Sequence, residues 1–259
     1  MTESIHLRPL TGKNMLVTGV ANEQSIAWGC AKAFHDMGAR VAITYRNERD
    51  LAAVTPLAEQ IDALCLPLDV TVDGQMQSVF AELGRHFGTL HSVVHSIAFA
   101  PKSDLHVPLS ECSRAGFLKA MDCSCFSFIE MAHLAAPLMT EGGTLFTMSY
   151  HGAQRVVEHY NVMGPVKAAL EASVRYLAHE LGRQGIRVHA ISPGPIRTRA
   201  ASGIADFDEL INAASQRAPA GTIAGIEDVG YATAMLAVDG ARLLTGTTIH
   251  VDGGAHIMN

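Results

Sequence analysis

Met15–Tyr45 reads MLVTGVANEQSIAWGCAKAFHDMGARVAITY, and its punctuation sets the architecture. The apolar run Met15–Thr18 is short and suits a strand buried on both faces. Gly19 ends it. Ser25 then stands where a helix cap belongs, ahead of a helical stretch running to about Met37. Gly38 stops that helix, and Val41–Tyr45 (VAITY) reads as a second strand. Strand, helix and strand in this order make one parallel unit, because parallel neighbours need a crossover.

The same alternation continues to the end of the chain. Leu51–Gln60 reads as helix, Ala63–Leu68 as a third strand and Val72–Phe87 as helix with Gly88 after it. Ser92–Ile97 is a fourth strand, and a long helical stretch covers about Gly116–Met139. Thr144–Ser149 is strand five, Val162–Leu181 a helix and Arg187–Ile191 strand six. Thr198–Arg217 mixes polar and apolar residues as one or two short helices. Glu227–Val238 is a further helix and Thr247–Val251 a last strand. Apolar strands alternating with helices predict an α/β fold, a doubly wound parallel sheet of seven strands with helices on both faces. No linker or repeat divides residues 1–259, so a single domain is expected. In such sheets ligands bind beyond the carboxyl ends of the strands, so the residues after each strand are the candidates.

Composition narrows the partners. The chain has 259 residues, 48% of them hydrophobic and 17% charged, which suits a large buried core. A net charge of −6 offers no basic footprint for nucleic acid or an anionic membrane surface. No apolar run approaches the roughly 20 residues of a spanning helix, and the first residues lack the apolar centre of a signal peptide. A cytoplasmic location is expected. Five scattered cysteines and thirteen histidines show no CxxC, HExxH or HxH spacing, so neither disulfides nor a metal is predicted. Cys123 and Cys125, two apart in a helical stretch, should point to different faces.

The post-strand residues suit a dinucleotide. Gly19, together with Gly29 inside the next helix, would let backbone approach a pyrophosphate at the helix start, where Ser25 and Ile26 lie. The usual glycine triplet is missing, and the loop alone reads equally as an ordinary turn. Asp69-Val70 follows strand three; the carboxylate could accept from an adenine amino group or cap the following helix. Ser96-Ile97-Ala98 ends strand four with small residues where a ribose would press. Arg46 follows strand two, where NAD-selective folds tend to place an acid. A guanidinium there suits a 2′-phosphate, with Arg49 nearby, and favours NADPH over NADH; a solvated surface arginine is the alternative.

The segments Ser149-Tyr150-His151-Gly152-Ala153, Tyr160-Asn161-Val162-Met163-Gly164 and Lys167-Ala168 resemble the active-site signature of the bacterial enoyl-acyl-carrier-protein reductases. These are a divergent branch of the short-chain dehydrogenases, of Rossmann-type fold. The resemblance runs from Leu16–Ala21 through Ser25-Ile26-Ala27, His95-Ser96-Ile97 and Gly194–Thr198 to the closing His250–Gly254. Its discriminating feature is Tyr-x6-Lys, where the wider superfamily has Tyr-x3-Lys. It implies that Tyr160 donates to the thioester oxygen and that Lys167 holds the nicotinamide ribose. Tyr150 lines the substrate side with Ala98, Phe99, Ala100 and Met163. Pro195, Ile196 and Thr198, after strand six, would wrap the nicotinamide; a plain rigid loop is the alternative. Two helical turns separate Tyr160 from Lys167, which predicts a shared face with Gly164 leaving room.

Four residues depart from that pattern. Ala98 replaces a glycine and narrows the space beside the nicotinamide. Pro193 replaces an alanine, giving a Ser-Pro-Gly sequence typical of the wider superfamily. Pro165 is expected to delay or kink the helix start. In the family the short helix after Thr198 carries basic residues for the acidic carrier protein, whereas here Asp206, Asp208 and Glu209 make it acidic. That puts acyl carrier protein in doubt as a partner and leaves a coenzyme A thioester open. Ile204, Phe207 and Leu210, three apart, read as an apolar lid over an acyl chain or as ordinary core. Arg197, Arg199 and Arg217 could offset the acidic run.

The leading expectation is therefore NAD(P)H-dependent reduction of a 2-enoyl thioester in fatty acid biosynthesis. A carbonyl reductase of the same fold is the alternative that Ser149, Pro193 and Ala98 favour. A nucleotide-sensing protein without catalysis is the third, against which Tyr160 and Lys167 count. The resemblance also implies a homotetramer, with Gly116–Met139, Val162–Leu181 and the last strand as interfaces.

Overall fold

Seven strands form where apolar runs are bounded by glycine, proline or a helix cap. They are β1 (Asn14–Thr18), β2 (Arg40–Tyr45), β3 (Leu64–Pro67), β4 (Ser92–His95), β5 (Gly143–Met148), β6 (Ile186–Pro193) and β7 (Thr247–Val251). The computed structural model describes residues 8–198 and 207–258. All strand pairs are parallel, in the order β3-β2-β1-β4-β5-β6-β7. The expected doubly wound α/β fold is what the chain adopts. The order reverses between β1 and β4, so the crevice at their carboxyl ends is where such folds hold a ligand.

Side chains alternate across the sheet and feed two cores. Met15 and Val17 of β1 join Trp28 and Phe34 of α1 (Ile26–Asp36) on one face. That face is completed by α2 (Glu48–Gln60) and α9 (Ile226–Ala237). Leu16 points the other way, into a core with Phe80 of α3 (Gln75–Phe87), Phe128 of α6 (Ser127–Ala135) and Leu170 of α7 (Met163–Leu181). The short α4 (Lys102–Leu105), α5 (Arg114–Met121) and α8 (Phe207–Arg217) are the remaining α-helices among the described residues.

Gly29 corrects its sequence reading. A Cβ there would meet Ile226 O at 2.2 Å, and one on Gly230 would meet Gly29 O at 2.2 Å. The glycine serves the close crossing of α1 and α9 rather than a pyrophosphate. The stretch expected as one helix over Gly116–Met139 is also divided. Between α5 and α6 the chain widens into a π-helical turn, Asp122–Phe126. Such turns shift the hydrogen-bond ladder by one residue and turn the side chains with it. Cys123 and Cys125, expected on different faces, are consequently both buried.

Pro165 neither kinks nor delays α7. It is the third helical residue, where its missing N–H is one the helix start leaves unpaired in any case. The helix begins at Met163, after Tyr160, and His159 and Asn161 on either side of that tyrosine have φ of 62° and 41°. Tyr160 and Lys167 therefore do not share one helical face; a left-handed turn delivers the tyrosine separately.

Candidate active site

Parallel register sets β1 beside β4, with Thr18 opposite His95, so Gly19 and Ser96 emerge side by side at the crevice. Gly19 has φ of 85°, and a Cβ there would lie 2.3 Å from Ser96 O. No other residue type fits this approach. Ser25 occupies the cap position of α1 but makes no capping hydrogen bond. Its hydroxyl donates to Asn22 O at 2.6 Å instead, which leaves the first amides of α1 facing the crevice. Ile26 packs against the core beneath.

Arg46 and Asp69 meet across the ends of β2 and β3, Nε to carboxylate at 3.1 Å. Asp69 also accepts from the Thr71 amide and hydroxyl and caps no helix, since Gly74 holds the cap position of α3. These donors keep its carboxyl below the usual range against a burial that raises it. Val70 packs into the core. The Arg46 guanidinium lies 5.9 Å from the centroid of the Phe99 ring, and Lys119 Nζ stands 5.6 Å from that centroid. Ser124, in the π turn, pins Phe99 by accepting from its amide and donating to its carbonyl. Ser96 and Ile97 are half-buried and Ala98 is exposed at the crevice.

The reactive side chains gather beyond β5. Tyr150 and Tyr160 pack edge to face, 4.9 Å between ring centroids. Ala100, Met163 and both tyrosines belong to one small apolar cluster. Burial pushes the Tyr150 hydroxyl up to about 12 and the Tyr160 hydroxyl higher still, so both carry their protons at neutral pH. Neither hydroxyl has a hydrogen-bond partner among the described residues. Lys167 is 4% exposed and donates to Met148 O at 2.6 Å. Burial pulls its ammonium down to about 8, which the nearby thiols and Glu171 partly offset.

The pattern of Tyr150, Tyr160 and Lys167 left two residues without a role. Gly152 lies between the tyrosines: a Cβ would fall 2.5 Å from Tyr160 Cδ1 and 3.4 Å from Tyr150 Cδ1. Its carbonyl is also the nearest neighbour of a Cβ on Gly164, at 3.3 Å, so the room expected at Gly164 admits the Gly152 backbone. Glu171, one turn after Lys167, is 5% exposed and accepts from Ser149 Oγ at 2.6 Å and Gln154 Nε2 at 3.0 Å. The Ser149 hydroxyl is thus spent on Glu171. That removes one of the three reasons to read the chain as a carbonyl reductase.

A nicotinamide dinucleotide suits these features. The Gly19 cradle admits backbone against phosphate, the uncapped start of α1 offers amides, and Lys167 is a buried cation bonded to the Met148 carbonyl. Pro195 is buried and Ile196 and Thr198 half-buried beyond β6, with the Gly194 amide anchored on Val251 O.

A model of the short-chain dehydrogenase class described as enoyl-(acyl carrier protein) reductase matches residues 19–256. The chain belongs to this family.

The enoyl-acyl-carrier-protein reductase [NADH] of Bacillus cereus is 46% identical over 252 residues, 96% of this chain and 98% of that protein. The corresponding protein of Nostoc is 48% identical over 253 residues, again 96% and 98% of the two chains. The crystal structure of the Bacillus cereus enzyme with NADP+ and an indole naphthyridinone superposes with a TM-score of 0.94, at 46% identity over 96% of this chain and 98% of that one. Family membership makes the chain a nicotinamide-dependent oxidoreductase acting on enoyl-acyl-carrier-protein. The doubt raised by Asp206, Asp208 and Glu209 does not remove that substrate. Ile204, Arg199 and Asp206, with the side chains of Phe207 and Asp208, lie outside the described residues.

Sequence spacing also overlooked a C-terminal group. His250, Asp252 and His256 bring their donor atoms within 4.8 Å of one another. Asp252 there accepts from the Gly254 and His256 amides and from His256 Nδ1. Its carboxylate closes the turn after β7. Among the described residues no helix is long and apolar enough to cross a membrane.

Proposed function

We propose that Tyr150, Tyr160 and Lys167 carry the reduction of the C2–C3 double bond of a 2-enoyl thioester in fatty acid biosynthesis. The observation that carries this reading is two tyrosine rings packed edge to face with protonated, unpartnered hydroxyls, in a loop that follows the strand end to which the buried Lys167 is bonded. A bound nicotinamide dinucleotide supplies the hydride. As hydride reaches the β-carbon, negative charge develops on the thioester oxygen. Tyr160 donates its hydroxyl hydrogen bond to that oxygen, and the bond strengthens as the enolate forms, which lowers the barrier. Lys167 holds the ribose hydroxyls and, as a cation, favours the same charge. Tyr150 limits how Tyr160 turns and lines the substrate side with Ala98, Phe99, Ala100 and Met163.

The dinucleotide lies, on this reading, along Gly19, Ser25, Ile26, Asp69, Val70, Ser96, Ile97, Pro195, Ile196 and Thr198. The Arg46–Asp69 pair weighs against the NADPH preference read from Arg46 alone. A carboxylate beside the guanidinium already neutralises part of its charge and would repel a 2′-phosphate. We therefore place NADH first, with NADPH accepted when Arg46 swings to the phosphate. The relatives named for NADH, one of them crystallised with NADP+, agree with a donor site of that kind.

Residues 198–217 would cover the acyl chain, and residues 1–259 act as one catalytic domain in the cytoplasm. Exposed Ile129 and Tyr176 on α6 and α7, and Leu243, Leu244 and Ile257 near β7, fit the interfaces of a homotetramer. The test crosses NADH and NADPH with crotonyl and longer enoyl thioesters of acyl carrier protein and coenzyme A. Turnover with the carrier-protein thioesters at higher kcat/KM than with ketones supports the reading. Ketone reduction without enoyl reduction overturns it.

A further inference from the structure

We propose that Glu171 is a positioning residue of this reductase, whose buried carboxylate ties the Tyr150 loop to the helix carrying Lys167. The proposal rests on the enoyl-reductase reading above. It starts from α7, where residues four apart stand over one another on one face. Lys167 and Glu171 are such a pair, and each grips a consecutive residue where β5 ends. Lys167 Nζ donates to Met148 O at 2.6 Å, and Glu171 accepts from Ser149 Oγ at 2.6 Å. The second Glu171 oxygen accepts from Gln154 Nε2 at 3.0 Å, four residues beyond Tyr150. Tyr150 and Gly152 thus sit in a loop fastened at both ends to one carboxylate, and Gly152 is the residue against which both tyrosine rings pack.

A carboxylate 5% exposed is costly unless its oxygens are paired, and a neutral glutamine or an apolar residue would fill the space more cheaply. The charge has a use here. Lys167 is faced by the Cys123 and Cys125 thiols from the π turn, by His95 from the end of β4 and by Glu171 from its own helix. Of these, the Cys125 thiol and then Glu171 act most against the burial that lowers the ammonium, and Glu171 is the carboxylate among them. The carboxylate therefore acts on both members of the machinery: by hydrogen bonds on Tyr150, and through space on Lys167.

The experiment compares wild type, Glu171→Gln, Glu171→Asp and the double variant Ser149→Ala/Gln154→Ala as full-length enzymes with NADH and crotonyl-coenzyme A. Glu171→Gln keeps the shape and loses the charge. It is expected to lower kcat at least tenfold, leave KM for NADH within about twofold, and move the alkaline limb of the kcat–pH profile to lower pH. The double variant keeps the charge and loses the ties; it is expected to lower kcat with the limb where the wild type has it. Glu171→Asp should recover the wild-type limb. Adding Glu171→Ala to the double variant removes the charge as well, and should move the alkaline limb to lower pH as Glu171→Gln does. Activity within twofold of wild type in both Glu171→Gln and the double variant, or an alkaline limb unmoved by Glu171→Gln, overturns the proposal while the enoyl-reductase reading stands. If Glu171→Gln does not fold, the double variant decides: unchanged kcat overturns, a tenfold loss supports. Absence of enoyl turnover in the wild type overturns both.

Discussion

Gly152 holds Tyr150 and Tyr160 together by having no side chain. The rings meet at 4.9 Å between centroids, and a methyl group on Gly152 would enter the Tyr160 ring edge at 2.5 Å. Gly152→Ala must displace one ring, since the clash is with ring atoms and not with a flexible chain end. Overpacking of this kind costs about 1–3 kcal/mol. The expected outcome is a folded enzyme with kcat lowered about tenfold or more, because small misplacements of a positioned donor weigh heavily. Wild-type kcat in a properly folded Gly152→Ala protein would show that the tyrosine pair tolerates repacking.

Tyr160→Phe isolates the hydroxyl. Its ring is buried, and its oxygen has no hydrogen-bond partner among the described residues, so removing it sacrifices no internal bond. Thermal stability should hold or rise slightly. Loss of one donor to a developing oxyanion lowers kcat by about 10²–10³-fold. KM for NADH should stay near its wild-type value. Steady-state kinetics beside a melting curve separates these effects, and a kcat within threefold of wild type would assign the donor elsewhere.

The sheet was legible because each strand is an apolar run bounded by glycine or a polar turn. Met15–Thr18 before Gly19 and Val41–Tyr45 after Gly38 are read without knowledge of their neighbours. The Tyr150, Tyr160 and Lys167 set was legible by resemblance, although the helical-face argument for the last two failed. Left-handed φ at His159 and Asn161 leaves no trace in a pattern of apolar residues. The π turn at Asp122–Phe126 escaped for a related reason: one extra residue in a turn looks like a minor slip in a 3.6-residue period. Glu171 drew no notice in the sequence, because its partners Ser149 and Gln154 come from a segment seventeen and more residues earlier. Gly29 misled in the opposite direction. A glycine early in a post-strand helix suggests phosphate, yet its near neighbour is Ile226, distant in sequence.

Arg46 offers a test of donor choice. Its side chain is 58% exposed and paired with Asp69, so its removal should barely affect stability. Arg46→Ala is expected to lower kcat/KM for NADPH about tenfold or more and to change that for NADH by less than about threefold. The contrast follows from the single group by which the donors differ, the 2′-phosphate, which a guanidinium binds through paired hydrogen bonds. Equal losses with both donors would mean that Arg46 serves the adenine rather than the phosphate.

Acid should destabilise the fold well before its carboxylates titrate. His95 is fully buried between Thr147 Oγ1 at 2.9 Å and Ser127 Oγ at 2.8 Å. Ser127 gives its own proton to Cys123 O, so His95 Nε2 donates to Ser127 and Nδ1 accepts from Thr147. Burial, with Lys167 nearby, pulls the imidazole down to about 3 from 6.5. In the pH range between these values the unfolded chain binds a proton that the folded chain refuses. Stability from this group is therefore complete above about pH 6.5 and falls as pH drops toward 3. Linkage puts the loss between pH 7 and pH 5 at about 2 kcal/mol for His95 alone. Burial also holds His91, His151, His189 and His250 below their ordinary value, which adds to the same slope. Urea unfolding at pH 7, 6 and 5 checks this, and His95→Gln should flatten the dependence while lowering stability at pH 7. A midpoint unchanged from pH 7 to pH 5 would mean that the buried imidazole takes up its proton without opening the fold.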